Sequence, residues 1–326
     1  MMTSKPVFLE DSILRKGLPA TAGSKILQGF KAPFDAAVAE RLTGAGYALR
    51  SEPPGTEFGI APPAPVPSPV VTAVAEGRAD LALCNDFSGA AGDQAAALGL
   101  YTIRPTYGTV SRYGLIPSVC SMDAVSVVCR DLRQGFALLE VIAGHDERDG
   151  VSEPEPSYRY APSEEPLKTA AVSRETLPMA DAGPAVMDIL VCAELSGNLS
   201  RYDGLRFGYR SPDFKGLEEL YLKTRTEGFS PETKLSLVVG AMVLSEGWYE
   251  KRYHKAMQIR RMLRDGIDAL LMKYDVLSAP AWAAPLCGLP SVTLPGAAPP
   301  AARLVAARKR ENALYAAAER GGIYGV

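Results

Sequence analysis

The stretch Ala79-Asp-Leu-Ala-Leu-Cys-Asn-Asp-Phe-Ser-Gly-Ala-Ala-Gly-Asp-Gln-Ala-Ala96, followed by Tyr101-Thr-Ile-Arg-Pro105, decides the fold. Ala79 to Cys84 is a short apolar run of the length of a buried strand. The next residues gather Asn85, Asp86, Ser88, Gly89 and Gly92, the composition of a turn. That loop has the look of an active-site loop, yet it holds no nucleophile with an evident base. Working outward, Ser126 to Cys129 reads as a second short strand and Leu132 to Ala143 as an amphipathic helix. Upstream, Val70 to Gly77 reads as a helix. Asp35 caps another that carries Val38 and Leu42 on one face and ends at Gly44 or Gly46, and Tyr47-Ala-Leu follows as a strand. Downstream, Ala185 to Asn198 turns helical, and Pro231 to Tyr253 and onward to Tyr274 forms a long helix pair with Gly240 and Gly247 as close-packing points. Asp275-Val-Leu-Ser-Ala-Pro is a strand, and a last helix lies near Ala301 to Glu319. Helices alternating with strands indicate an α/β fold around a mixed central sheet.

Composition narrows the function classes. Hydrophobic residues make up 47% and charged residues 22% of the 326, ordinary for a globular chain able to bury a large core. A formal net charge of −2 excludes a strongly basic nucleic-acid binder. The five cysteines are scattered without a CxxC and read as buried free thiols, and His145 and His254 are too few for a zinc site or a His-based triad. No cofactor or metal is expected. No apolar run reaches membrane-span length, and the first residues do not read as a targeting peptide. Seven prolines between Glu52 and Pro69 make 52–69 an extended connector, and 150–185 is an irregular surface segment rich in Pro, Glu, Ser and Ala.

Four stretches carry a resemblance. They are Lys16-Gly-Leu-Pro-Ala-Thr-Ala-Gly-Ser-Lys-Ile-Leu27, Arg104-Pro-Thr-Tyr-Gly-Thr-Val-Ser-Arg-Tyr-Gly-Leu115, Leu138-Leu-Glu-Val-Ile-Ala-Gly-His-Asp-Glu-Arg-Asp149 and Asn198-Leu-Ser-Arg-Tyr-Asp-Gly-Leu-Arg-Phe-Gly-Tyr-Arg210. Leu220 to Phe229 and Gly240 to Tyr253 add to it. In order and spacing they resemble the amidase-signature family, on its branch of glutamyl-tRNA(Gln) amidotransferase A subunits. The resemblance implies one amidase-signature domain over 1–326 with truncated loops. It also implies amide cleavage by a Ser–cis-Ser–Lys triad, in which the lysine acts through a bridging serine on the nucleophile.

In that register Asp86 falls on the loop aspartate and Gly89 on the second glycine, while Ala90 falls on the nucleophile and Gly92 on an arginine. The bridging serine falls at or near Val66, and Glu10 stands at the lysine. Leu235 and Ser236, in Glu232-Thr-Lys-Leu-Ser, replace the arginines that grip a substrate carboxylate. The expectation is therefore a scaffold without amidase activity, with Glu10, Val66 and Ala90 as vestigial triad places, serving as a structural subunit of a larger complex. Amidotransferase, ribosomal and respiratory assemblies are the candidates, with the mitochondrial matrix favoured over the cytoplasm. The alternatives are an active glutamine-dependent amidotransferase or amidase with a rebuilt site, in which Ser88 is a displaced nucleophile, and a small-amide sensor. Partners are protein subunits, and RNA contact would run through Lys251, Arg252, Arg260, Arg261 and Arg264. Arg303, Arg308, Lys309 and Arg310 on the last helix invite the same reading, against the plainer one of a solvated charged face.

Overall fold

The computed structural model describes residues 5–60, 68–297 and 301–321. Nine strands form one mixed sheet, beginning with β1 (Val7–Glu10), β2 (Leu49–Glu52), β3 (Leu81–Asn85), β4 (Tyr101–Arg104) and β5 (Val125–Cys129). The sheet is completed by β6 (Thr169–Ala171), β7 (Val276–Ala279), β8 (Ser291–Thr293) and β9 (Arg303–Ala306). The strand order is β2-β1-β3-β5-β4-β8-β9-β7-β6. The β1–β2, β1–β3 and β6–β7 pairs run parallel and the other five antiparallel.

Both faces of the sheet are covered, and the alternation along each strand shows why. Leu81 and Leu83 of β3 pack with Val125, Val127 and Cys129 of β5 into one apolar cluster, while Ala82, Cys84 and Val128 join the opposite one. The first face receives α1 (Ala37–Gly44), α4 (Leu132–Ile142) and α10 (Glu311–Glu319). The second receives α2 (Pro69–Ala75) and α3 (Ala90–Ala97) near β1 and β3. Beyond the other half of the sheet stand α5 (Gly183–Leu199), α6 (Leu217–Gly228), α7 (Pro231–Leu244), α8 (Lys255–Leu271) and the short α9 (Ala283–Cys287). Proline opens α2, α5 and α7, where its missing N–H costs no hydrogen bond. Asp131 caps α4 by accepting from Gln134 N at 2.9 Å.

Several expectations need correction. The helix after Asp35 forms, but its cap residue is Ala36, and the Asp35 carboxylate instead accepts from Lys16 N at 2.8 Å. Gly240 is a packing point: a Cβ there would lie 2.0 Å from Cys192 O on α5. Gly247 meets nothing within 4 Å and serves a turn at φ +81°. The segment Ala90–Ala97, expected as part of a loop, is helical, as its five alanines favour. The stretch after Ala301 is no helix at first. Arg303–Ala306 is an interior strand between β8 and β7, because its side chains fill the sheet's two faces, and the helix begins only at Glu311. The segment 150–185 is irregular up to Met179 except for the edge strand β6, and ends in a 3-10 turn at Ala180–Ala182 that leads into α5. Three of the cysteines are buried and all five are free, but Cys120 is exposed.

Candidate active site

The carboxyl ends of the adjacent parallel strands β1 and β3 place Glu10 and Asn85 side by side, the position where α/β sheets hold their ligands. Glu10 is buried, and its Oε2 accepts from Asn85 N and from the Ser12 hydroxyl, each at 2.9 Å. Burial pushes the Glu10 carboxyl up to about 7. The two hydrogen bonds pull against that, and the nearby Asp11 and Asp86 carboxylates reinforce it. Beside this pair lies a cavity of about 10 Å³, lined by Glu10, Ser12, Phe58, Gly59, Asn85 and Ser118. Such a space takes one water molecule.

The surrounding acids hold backbone. Asp11 accepts from Thr21 N and Oγ1 and from Ala22 N, fixing the turn that follows the first strand, and burial raises its pKa. Asp123 accepts from Ser118 N, Val119 N and Asn85 Nδ2, which ties the Asn85 side chain to the start of β5. Burial raises its pKa as well. Asp86 accepts from Ala91 N and Gly92 N, each at 3.1 Å, and so satisfies the free N–H groups at the start of α3. Asp86 thus holds the turn that the composition of this stretch predicts.

The loop is also fastened from below. Arg303 of β9 donates from Nη2 to Gly89 O at 2.5 Å and to Asp93 Oδ1 at 2.9 Å, with only 3% of its side chain exposed. Gly89 turns the chain at φ +85°, and a Cβ there would meet the Arg303 guanidinium at 2.8 Å. Gly92 is as close, at 3.0 Å. Arg104 closes the other side by donating to Asp86 O at 2.8 Å and to Met122 O at 2.5 Å, and burial lowers its pKa to about 10.

The structure brings together some predicted residues and separates others. Glu10 and Asp86 share one site. Ala90, at the first turn of α3, faces out and is exposed, and Val66 lies outside the described residues. Ser88 is half-buried, and its Oγ only accepts from Ala90 N at 3.4 Å. Leu235 is exposed, and Ser236 bonds back to Glu232 O within its own helix. His145 is structural, its Nδ1 paired with Glu153 O at 3.0 Å. The charged residues near the C-terminus do not share a helix face: Arg308 and Lys309 pair with Glu153, and Arg303 is buried. Of the residues expected to meet RNA, Arg261 is paired with Asp265 and Arg260 donates to Leu286 O. Ser12 was missed: it lies in the turn just past β1, and only its hydrogen bond to Glu10 brings it into the site. Among the described residues no group of three or more His, Cys, Asp or Glu could hold a metal ion, and no helix is long and apolar enough to cross a membrane.

The family model described as Amidase matches residues 71–188 and 167–293, and the chain belongs to the amidase family. It is 32% identical over 328 residues to the glutamyl-tRNA(Gln) amidotransferase A subunit of Lachnoclostridium phytofermentans, covering 84% of this chain and 66% of that one. To the protein of the same name from Symbiobacterium thermophilum it is 33% identical, covering 84% and 67%. The chain thus spans about two thirds of the length of these relatives. Among solved structures, the glutamyl-tRNA(Gln) amidotransferase A subunit of Thermotoga maritima has the same fold, with a TM-score of 0.67 at 23% identity over 99% of this chain and 84% of that one. The peptide amidase of Stenotrophomonas maltophilia gives 0.74 at 21% identity over 97% and 82%.

These matches correct the expectation of a chain without enzymatic activity. Its family is one of amidases, its sequence relatives are named as amidotransferase subunits, and nothing in the comparisons shows that the catalytic groups have been lost. None of them bears on the mitochondrial expectation.

Proposed function

We propose that the protein cleaves amides as part of an assembly, as a glutamine-dependent amidotransferase or amidase whose site is rebuilt around Glu10 and Ser12. One observation carries this reading: the Ser12 hydroxyl donates to a buried carboxylate whose pKa stands at about 7. That value suits a general base at neutral pH, and a serine needs such a base to attack. Glu10 takes the Ser12 proton as the hydroxyl oxygen bonds to the amide carbonyl carbon. The proton then passes to the leaving nitrogen, the C–N bond breaks and ammonia departs. A water deprotonated by Glu10 cleaves the resulting ester, and its proton returns to Ser12.

The assignment of the family's triad places to Glu10, Val66 and Ala90 belongs to this proposal, since a rebuilt site is needed only where those places have changed. The cavity has room for one water, so cleavage of a larger amide requires this site to open. Naming of the relatives as subunits favours work alongside partner proteins. The exposed Leu235, Val238 and Met242 on α7 are consistent with a covered face in an assembly.

The test is ammonia release by the purified full chain from glutamine and simple primary amides. Release that is lost in both Ser12→Ala and Glu10→Gln, and kept in Ser88→Ala, is the expected result. No release from any amide, or loss in Ser88→Ala with Ser12→Ala still active, overturns the proposal.

A further inference from the structure

A second cavity lies away from Glu10, between α8, the end of α9 and the loop after β9. It is an open cleft of about 320 Å³, within the size range of small-molecule sites. Arg260, Arg261, Arg264, Arg308, Met257 and Tyr107 supply most of its wall, and no described acidic residue lines it. Met257, Arg260, Arg261 and Arg264 fall at i, i+3, i+4 and i+7, so a single face of α8 is turned to the cleft. Ala256, Leu263 and Ile267 anchor the helix by its buried face.

The guanidinium groups are arranged in two ways. Arg260 is held rigidly on neutral acceptors: Leu286 O at 2.7 Å, Ser121 Oγ at 2.9 Å and Ser121 O at 3.2 Å. It forms no ion pair with a described carboxylate, and the nearest acid acting on it, Glu194, is held by Ser121. Arg308 likewise donates to Gly288 O at 3.1 Å and Tyr107 O at 3.0 Å, and its remaining partner is Glu153 at 2.6 Å. Arg261 and Arg264 pair only with Asp265 and Asp268 one turn along their own exposed helix, at 2.8 and 3.7 Å. Such surface pairs contribute little and yield readily to a better anion. Two fixed and two movable forks thus line one cleft, with their paired carboxylates Glu153, Asp265 and Asp268 outside its wall, and forked guanidinium groups match the paired oxygens of phosphate and carboxylate.

We propose that this arginine-lined cleft is a binding site for a small multivalent oxyanion, a metabolite ending in a phosphate or in clustered carboxylates. The site is separate from the amide-cleaving centre proposed above and stands whether or not that centre is active. Binding of inorganic pyrophosphate and of citrate to the full chain, followed by titration calorimetry and thermal stabilisation, tests it. Saturable binding of either probe, weakened at least tenfold in the Arg261→Gln/Arg264→Gln double variant and progressively by added salt, is expected. Pyrophosphate alone identifies the phosphate class and citrate alone the carboxylate class, and both support the proposal. Arg264→Gln alone changes one half-exposed side chain and serves if the double variant does not fold. Absence of saturable binding by either probe, binding unchanged in the variants, or binding of an RNA oligonucleotide in place of both small anions overturns it.

Discussion

The molecule has two polar centres, and they solve opposite problems with the same means. At the ends of β1 and β3, four acids cluster, and backbone N–H groups hold each of them: Asn85 N on Glu10, Thr21 N and Ala22 N on Asp11, Ala91 N and Gly92 N on Asp86, Ser118 N and Val119 N on Asp123. In the cleft beside α8, backbone carbonyls hold Arg260 and Arg308. The acidic centre is closed around space for one water, whereas the basic one is open. Like charges can crowd together where neutral backbone dipoles answer each one separately. What differs is exposure: burial raises the pKa values of Glu10, Asp11 and Asp123 in the first, while Arg261 and Arg264 stand exposed at the rim of the second.

The largest effect is expected where a buried charge crosses between strand and loop. Arg303→Met removes the donor to Gly89 O and leaves Asp93 without its cationic partner, with Ala301 N still donating to it. Burial already raises the Asp93 pKa despite Arg303 beside it, so desolvation outweighs pairing at this carboxylate. The pair is therefore costly to bury and more costly to break: a loss of about 3 kcal/mol is expected, the low end for a severed buried ion pair. Denaturant unfolding of the variant checks it. A loss below about 1 kcal/mol would mean that Arg303 does not fasten the loop.

Glu10→Gln reads the acidic centre directly through pH. The folded-state pKa of Glu10 stands at about 7 against an ordinary value of 4.5, so the native protein holds a proton that the unfolded chain releases between those values. Stability from this group is complete below about pH 4.5 and is lost as pH rises through about 7, a change on the order of 3 kcal/mol. Glutamine cannot ionise, so the variant should match the parent near pH 4.5 and exceed it in thermal stability at pH 8. Parallel melting curves across that range check the sign. Parent and variant curves that stay parallel would show that Glu10 titrates normally.

Much of this was legible in the residues alone, and what was not has identifiable causes. The strand Leu81–Asn85 and the helix Leu132–Ile142 stand out because burial on one or both faces imposes a period on them. The strand at Arg303–Ala306 was hidden because only its place between β8 and β7 makes it a strand, and an alanine-rich neighbourhood favours helix. Motif register singled out Glu10, Asp86 and Gly89, which lie around the ends of β1 and β3, and turn composition marked the loop that Asp86 holds. It could not supply Ser12, whose importance comes from a hydrogen bond, nor the cleft. The charges of Arg260, Arg261 and Arg264 are plain in the sequence, but their convergence with Arg308 depends on the path of the chain after β9. Sequence reasoning also inferred inactivity from one register, and family membership corrected it.

The smallest effect is expected at Ser88, and it sharpens the contrast between an acid-centred site and a loop-centred one. Its hydroxyl accepts one long bond from Ala90 N, at 3.4 Å, and no described base touches it. A serine so placed is neither activated nor needed for the turn, which Gly89 forms and which Asp86, Arg104 and Arg303 secure. Ser88→Ala should therefore shift stability by less than about 0.5 kcal/mol, as surface substitutions without such contacts do. It should also leave amide hydrolysis unchanged. If Ser88→Ala instead removed activity while the fold stayed intact, the working hydroxyl would belong to the loop, and Glu10 and Ser12 would be reduced to a buried structural pair.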